Sequence, residues 1–179
     1  MTTRRELQAE AKRLAAGLIA TGRRVVFAES CTGGLISQIL TEVSGISEHL
    51  CGSAVVYRIG TKAAWLGVDE GVLEKSGPVS RIMAEQMAVG VLEKTPAADV
   101  AASVTGHLGP NASKRQDGLI YSAVASRNER GKKPTVVVRR HRLEPGQDNL
   151  SDKQAMSLRL RRQREAALFV LQFTREVLG

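Results

Sequence analysis

The sequence predicts an α/β fold, a three-layer α/β/α sandwich around a mixed sheet of about five strands. In the first half of the chain, short apolar runs alternate with stretches of helical periodicity, as in parallel strands joined by helices. Two later apolar runs follow one another with no helix between them, which indicates an antiparallel hairpin. A long amphipathic segment ends the chain and is predicted to cover one face of the sheet.

The first elements are a helix, a strand and a second helix. Apolar residues at helical spacing end at Thr21-Gly22, which indicates an amphipathic helix with a glycine stop. Charges are spread through this segment, so it does not have the pattern of a signal peptide. Residues 25–28 form an apolar run that leads through the polar turn 29–34 into helical spacing at 35–43. The turn is therefore predicted to lie at a helix N-terminus.

The middle of the chain continues the alternation. The predicted elements are a strand at residues 53–57, short helices at 61–66 and about 70–75, a helix from Ser80 to about Lys94 and a strand at 99–104. Ser80 suits the N-cap of its helix because a serine hydroxyl can accept a hydrogen bond from a free backbone N–H. A second turn of small residues, 105–110, follows the last of these strands.

The remaining elements are a hairpin and a long helix. Residues 118–125 and 135–142 are consecutive strand candidates, and residues 128–131 suit the turn between them. From about residue 150 to 178, apolar residues return at helical spacing. We find no repeat, low-complexity tract or linker, so residues 1–179 are predicted to form a single domain.

Composition restricts the function classes. Cys31 and Cys51 lack paired spacing, which predicts a reducing compartment rather than a disulfide scaffold. No apolar run approaches the roughly 20 residues that cross a bilayer, so we expect a cytoplasmic protein with no membrane partner. The net charge of +8 suits either a nucleic acid or a small phosphorylated substrate. The basic tracts lack neighbouring aromatic residues for base stacking, which disfavours a nucleic-acid partner.

Two small-residue turns, 30–34 and 105–110, each follow a predicted strand, where open sheets bind their ligands. Gly33 and Gly34 allow close approach of a ligand, and the helix N-terminus after them favours an anion such as a phosphate or a developing oxyanion. The turn lacks the spacing and the lysine of a Walker loop, so a nucleoside triphosphatase is disfavoured.

Ser30 lies at the strand-to-helix transition, where a serine is either a helix cap or an exposed nucleophile beside backbone donors. A nucleophile needs a base, and none of the three histidines is paired by sequence with an acidic residue; they are His49, His107 and His141. A serine–lysine arrangement is the simpler alternative.

Tyr57 and Lys62 are five residues apart at the end of the predicted second strand and could face one cleft. A buried lysine can lose its proton near neutral pH and act as a base, with the tyrosine hydroxyl relaying or orienting that proton. The alternative is a surface lysine and a packing tyrosine.

The string of residues 28–34, AESCTGG, resembles the signature of the CinA carboxy-terminal domain family. Further segments resemble family motifs in the same order. They are Gly52 to Tyr57 with Lys62, Leu66-Gly67-Val68, Gly77 to Ser80 with Ala84, Met87, Ala88 and Gly90, and Thr105-Gly106 with Gly109-Pro110. Together these segments cover nearly the whole chain.

The resemblance implies a nicotinamide-nucleotide amidase, which hydrolyses nicotinamide mononucleotide to nicotinate mononucleotide and ammonia without a metal or redox cofactor. It implies Ser30 as nucleophile, Lys62 as base and Tyr57 as an assisting group. The candidate substrate-binding residues are Glu29, Thr32, Gly33, Gly34, Thr105 and Gly106. For Glu29 two further roles are weighed, orienting Lys62 and capping the helix, and Cys31 is a competing nucleophile. The resemblance also implies a homo-oligomer.

The chain departs from the family pattern at two places. Ser53 stands at the second glycine of the family's GG pair, and residues 111–117 replace a run of glycines. Lys114 and Arg115 in this altered loop are candidates for phosphate contacts. The family's carboxy-terminal arginine has four candidates, Arg159, Arg161, Arg162 and Arg164. The altered loop leaves open a second function, a non-catalytic module that binds nucleotides or partners, and charge alone leaves a third, nucleic-acid binding.

Overall fold

We describe the protein from a computed structural model, over residues 2–110, 112–128, 132–146 and 150–179. The helices and strands alternate in the first part of the chain and end in a long helix. In order they are α1 (Arg4–Thr21), β1 (Val25–Glu29), α2 (Leu35–Thr41), β2 (Leu50–Val55), α3 (Ile59–Leu66), α4 (Glu70–Ser76), α5 (Arg81–Lys94), β3 (Val100–Gly106), β4 (Leu119–Ser126), β5 (Thr135–Arg142) and α6 (Asp152–Leu178). A short 3-10 helix, Ile46–Glu48, precedes β2.

The sheet has five strands in the order β2-β1-β3-β4-β5. Strand β1 pairs in parallel with β2 and β3, whereas β3 with β4 and β4 with β5 are antiparallel. The predicted mixed sheet is therefore confirmed. Ser126 lies opposite Thr135, as expected for consecutive strands of a hairpin. Of the predicted turn 128–131, residues 129–131 lie outside the described part of the chain.

Helices cover both faces of the sheet, which confirms the three-layer prediction. Because side chains alternate along a strand, Val25 and Phe27 of β1 pack on the face covered by α1, α2 and α6. Val26 and Ala28 point the opposite way and pack with α5 and with residues of α3. All five residues of β1 are buried, as expected for a strand with a neighbour on each side and helices on both faces.

Strand β2 begins and ends earlier than the sequence predicts. The apolar residues 54–57 suggest a strand over 53–57, but β1 pairs with β2 from Leu50 onward, and Gly52 lies opposite Val26. Cysteine, glycine and serine at 51–53 have weak strand preference, so the pairing with β1 decides the boundaries. Tyr57 lies beyond the strand, in the segment that leads into α3.

Close packing of two helices fixes the position of α3. A Cβ atom added at Gly90 of α5 would lie only 2.1 Å from the backbone oxygen of Leu66 in α3. The two helices therefore approach as closely as they do because residue 90 is a glycine. The Ser80 hydroxyl accepts a hydrogen bond from the Met83 N–H at 3.2 Å, which confirms Ser80 as the N-cap of α5. Among the described helices, none combines the length and the apolar character needed to cross a bilayer.

Candidate active site

The structure brings Ser30 and Lys62 together in a buried pair. Ser30 directly follows β1, and its N–H donates to the carbonyl of Val104 in β3, at 3.1 Å. Lys62 comes from α3, and its Nζ lies 2.9 Å from the Ser30 Oγ. Lys62 is 2% exposed and Ser30 is 7% exposed. The contact joins residues 32 positions apart, so it depends on the packing of α3 beside β1.

Two backbone carbonyls hold the lysine in place. The Lys62 Nζ donates to the oxygen of Val56 at 2.8 Å and to that of Tyr57 at 3.4 Å. Burial lowers the pKa of Lys62 from its ordinary value of 10.5. A neutral amine has two N–H groups and one lone pair, which matches two carbonyls and the hydrogen of the Ser30 hydroxyl. The pair can therefore transfer a proton from Ser30 to Lys62.

Burial disfavours Cys31 as a nucleophile at neutral pH. The side chain is buried, and burial raises the pKa of the Cys31 thiol to about 12. Since the thiolate is the nucleophilic form, a buried neutral thiol next to the turn acts as a packing group. The Cys31 side chain belongs to the apolar cluster that α2 and α6 share with the sheet.

Glu29 lies beneath the turn that follows β1. Its side chain is fully buried, and six donors, three backbone N–H groups and three hydroxyls, lie within hydrogen-bonding distance of its carboxylate. The distances are 2.8 Å to Thr32 Oγ1, 3.0 Å to Gly34 N, 3.1 Å to Ile36 N, 3.0 Å to Ser37 N, 3.0 Å to Ser37 Oγ and 3.0 Å to Ser53 Oγ. The helix cap, one of the two roles weighed for Glu29, is the role seen in the structure.

This carboxylate occupies the N-terminus of α2, where the sequence predicts an anion. The free N–H groups at a helix start and the helix dipole favour negative charge, and the protein supplies that charge itself. Gly34 precedes α2 with a φ of 98°, a left-handed conformation that favours glycine. The N–H of Gly33 donates to the Ser30 carbonyl at 3.2 Å. Binding of substrate by Glu29, Gly33 or Gly34 stays a prediction.

The threonine hydroxyls of both turns bond within the protein. Thr32 donates to Glu29, and its carbonyl accepts from Gln163 Nε2 of α6 at 2.8 Å. Thr105 donates to the carbonyl of Pro78 at 2.7 Å, which ties the end of β3 to the segment before α5. Both threonines are buried. Their role in substrate binding also stays a prediction.

A polar cavity of about 250 Å³ is lined by Tyr57, whose backbone oxygen contacts Lys62; neither Ser30 nor Lys62 lines the cavity. Its lining residues come from the end of β3, the segment after β2, the altered loop and α6; they are Tyr57, Gly106, His107, Leu108, Gly109, Pro110, Ala112, Ser113, Gln116 and Arg159. Tyr57 links the cavity to the pair, because its backbone oxygen contacts Lys62 while its ring lines the cavity. We call residues 106–110 the cavity wall.

The hydrogen bond seen for the Tyr57 hydroxyl is with Arg159, whose Nη2 donates to it at 2.7 Å, and not with Lys62 or Ser30. Tyr57 is 60% exposed. The structure therefore joins Lys62 to the backbone of Tyr57 rather than to its phenol. The assisting role that the resemblance implies for the tyrosine stays a prediction.

The structure separates the four candidate arginines of α6. Arg159 lines the cavity, and its Nη1 donates to the Gly109 oxygen at 2.8 Å. Arg162 is fully buried and is paired with Asp117, while Arg161 bonds Glu144 and Arg164 is exposed. The spacing of three residues puts Arg159 and Arg162 on one helix face, but Arg161 and Arg164 have the same spacing, so the sequence alone does not distinguish the two pairs. The partner of Arg162 could not be found from spacing.

None of the three histidines bonds Ser30 in the described part of the chain. His107 lines the cavity, His49 contacts the Arg23 carbonyl at 2.9 Å, and His141 stacks on Phe169 with Glu165 at 3.4 Å. Within the same residues, no group of three His, Cys, Asp or Glu side chains is arranged to hold a metal ion.

A serine–lysine pair buried at the end of β1, an interior strand of the mixed sheet, defines the class: an α/β protein with a candidate Ser-Lys site. The family model of the CinA C-terminal domain matches residues 7–162. The chain belongs to this family, as the motif at residues 28–34 predicts.

Relatives and solved structures agree with this membership. A CinA-like protein from Desulfotalea psychrophila is 44% identical over 111 residues, which are 61% of this chain and 27% of that protein. A CinA-like protein from Microcystis aeruginosa is 39% identical over 129 residues, 71% of this chain and 30% of that protein. The matches thus span less than a third of the length of these relatives.

Two solved structures show the same fold. The competence/damage inducible protein CihA from Agrobacterium tumefaciens has a TM-score of 0.74 and 33% identity, over 93% of this chain and 96% of that chain. A competence or damage-inducible protein from Enterobacter asburiae has a TM-score of 0.80 and 24% identity, over 97% and 98% of the two chains. The second comparison concerns the fold alone.

Proposed function

We propose that the protein hydrolyses the carboxamide of nicotinamide mononucleotide to nicotinate mononucleotide and ammonia. The observation that carries the proposal is the 2.9 Å contact between Ser30 Oγ and a buried Lys62 Nζ whose pKa is lowered by burial. Membership of the CinA family supports it, because the resemblance implies this activity. The proposal includes a small pyridine nucleotide as partner, self-association of the chain and a cytoplasmic location.

In the proposed reaction, Lys62 takes the proton of the Ser30 hydroxyl while Oγ attacks the carboxamide carbon. The tetrahedral intermediate collapses when the carbon–nitrogen bond breaks and Lys62 returns that proton to the leaving nitrogen, which departs as ammonia. Water then attacks the resulting ester and gives a proton to Lys62. The ester bond breaks, Ser30 regains its proton from Lys62, and the product leaves as a carboxylic acid that ionises by giving its proton to water.

The charge on the tetrahedral oxygen requires nearby donors. The N–H groups of Gly33 and Gly34 are occupied by the Ser30 carbonyl and by Glu29. The N–H groups of Cys31 and Thr32 donate to no oxygen atom of the described residues. They follow the nucleophile directly, so we assign them to the oxyanion.

The decisive measurement is ammonia release from nicotinamide mononucleotide by the wild type, Ser30→Ala, Lys62→Met and Cys31→Ala. We expect the first two variants to lose at least about 100-fold in kcat, in the range for loss of a general base or its nucleophile. Cys31→Ala is the matched control beside the nucleophile, and Lys12→Met is an exposed control for the lysine. Retained activity in Ser30→Ala would contradict the proposal.

A second candidate function is a module that binds the nucleotide without turnover. The observation that favours it is the altered loop, because Ala112, Ser113 and Gln116 line the cavity where the family pattern has glycines. Calorimetric binding of nicotinamide mononucleotide to the wild type, combined with no ammonia release, would favour this function. Release of ammonia that depends on Ser30 would exclude it.

A further inference from the structure

Two arginines of α6 hold the cavity wall by its backbone. Arg162 Nη1 donates to the Leu108 oxygen at 3.1 Å, and Arg159 Nη1 donates to the next oxygen, that of Gly109, at 2.8 Å. They are one helical turn apart and reach the wall from the same face of α6. The position of the wall is therefore set by a helix that lies about 50 residues further along the chain.

Arg162 also forms an ion pair with Asp117 of the altered loop, and so connects that loop to the wall. Its guanidinium binds both carboxylate oxygens of Asp117, with Nη1–Oδ1 at 2.7 Å and Nη2–Oδ2 at 2.5 Å. Its Nε donates to the backbone carbonyl oxygen of Glu144 at 3.0 Å. Arg162 is fully buried, whereas the Asp117 side chain is 26% exposed. One side chain thus joins the end of β3, the segment before β4 and the segment after β5. Such a two-point contact fixes orientation as well as distance.

Glycines in the surrounding backbone allow the ion pair to lie close to the main chain. A Cβ added at Gly109 would lie 2.7 Å from Arg162 Nη1, and one added at Gly146 would lie 2.7 Å from Asp117 Oδ2. Contacts this short do not occur for real Cβ atoms. Glycines from two separate segments therefore enclose the ion pair, and its geometry determines how closely those segments approach.

We propose that Arg162 and Asp117 are positioning residues of the active site. Their ion pair holds the cavity wall against α6 and so sets the shape of the cavity that receives the nucleotide. It does not touch Ser30 or Lys62, whose contact is fixed by β1, α3 and the carbonyls of Val56 and Tyr57. The inference rests on the proposed function only in naming the nucleotide as the ligand.

The proposal separates binding of the nucleotide from the reactivity of Ser30. We expect Asp117→Asn and Arg162→Lys to raise KM for nicotinamide mononucleotide about tenfold or more, since each removes charge-assisted hydrogen bonds that hold the wall. We expect the rate at which a small fluorophosphonate labels Ser30 to change less than about twofold, because that probe does not need the wall. The matched control is Arg161→Lys, one residue earlier, which bonds Glu144 and Ser157 outside the wall.

The outcomes distinguish the failure of either proposal. If the wild type is active but KM is unchanged in both variants, or if labelling of Ser30 slows as much as KM rises, the positioning role is overturned. If the wild type releases no ammonia, Kd from calorimetry replaces KM, and a raised Kd in both variants supports the positioning role while the amidase proposal fails. A wild type that neither reacts with nor binds the nucleotide overturns both. Arg162→Lys keeps the charge and serves as the folded variant if Asp117→Asn proves unstable.

Discussion

The two turns that border the proposed site are held in different ways. The turn after β1, residues 29–34, is organised by its own glutamate, whose partners are at most eight residues away except for Ser53. The turn after β3, residues 105–110, is held from distant segments, by Pro78 through Thr105 and by α6 through Arg159 and Arg162. The first turn is restrained mainly by its own glutamate, with one added hydrogen bond from Gln163 of α6 to the Thr32 oxygen, whereas the side-chain restraints of the second turn come from distant segments.

The difference separates the proposed chemistry from the proposed binding of the nucleotide. The proposed nucleophile lies on the locally restrained turn, so its position beside Lys62 does not require the altered loop. The cavity wall lies on the turn that is held from distant segments. Sequence changes in α6 or in the loop can therefore change which ligand the cavity binds while Ser30 keeps its position. A domain built in this way can change specificity more easily than mechanism.

The largest effect that tests the comparison is on Glu29. Glu29→Gln places an NH₂ group among donors that need an acceptor, and leaves buried N–H groups of α2 without partners. We expect the free energy of unfolding to fall by about 3 kcal/mol or more, and Ser30 labelling by a fluorophosphonate to slow. Urea unfolding monitored by circular dichroism checks the first effect.

The matched variant in the other turn is Asp117→Asn. Because Asp117 is partly exposed, water can replace some of its contacts, and we expect a smaller loss of stability than in Glu29→Gln. Equal losses of stability together with equal losses of Ser30 labelling would show that the two turns are not held differently.

Gly90→Ala tests whether helix packing, rather than either turn, keeps Lys62 beside Ser30. The added methyl group would overlap the Leu66 oxygen, so we expect a loss of about 1–3 kcal/mol in stability, and lower activity as α3 moves. Gly17→Ala is the control in α1, where an added Cβ meets nothing within 4 Å, and we expect it to stabilise by up to about 1 kcal/mol. Thermal unfolding and ammonia release measure the two effects; unchanged activity in a destabilised Gly90→Ala would contradict this account.

The pH dependence of the reaction tests the state of Lys62. Because burial lowers the pKa of Lys62, its free amine prevails at a lower pH than that of an ordinary lysine. We expect kcat/KM to rise about tenfold per pH unit below the pKa of Lys62 and to level off below pH 10.5. Between the lowered pKa of the folded state and the ordinary value of 10.5, the unfolded chain binds a proton at Lys62 that the folded chain does not. The free energy of unfolding therefore also rises with pH over this range.

Lys62→Met removes the titrating group, and its stability should lose this part of the pH dependence. Activity of the wild type that continued to rise beyond pH 10.5 would indicate a lysine with no lowered pKa, and it would remove the main support for Lys62 as the base.

The sequence predicts the local parts of this molecule well. The order of strands and helices, the mixed sheet, the Ser80 cap and the turn 29–34 follow from patterns within a few residues, and all are present in the structure. Strand β2 lies earlier in the chain than the sequence predicts, because pairing with β1 outweighs the weak strand preference of residues 51–53.

The parts that sequence reasoning could not supply are contacts between distant segments. Arg162 is one of four closely spaced arginines in α6, and Asp117 is one acidic residue in a polar loop, so only the packing of α6 against the sheet brings them together. The same holds for the carbonyls of Val56 and Tyr57 that hold Lys62, since every residue has a carbonyl and none is marked in the sequence.

The smallest expected effect concerns Ser53, the residue that replaces a glycine of the family pattern. Its hydroxyl donates to Glu29 Oε1 at 3.0 Å, and within the described part of the chain it is the one donor to this carboxylate from outside residues 32–37. We expect Ser53→Ala to lower the free energy of unfolding by about 1 kcal/mol, the usual value for one hydrogen bond. Ser53→Gly restores the family residue and should cost slightly more, because glycine weakens a strand. A loss from Ser53→Ala as large as that from Glu29→Gln would mean that the first turn depends on a distant segment as much as on its own residues, and the contrast between the two turns would not hold.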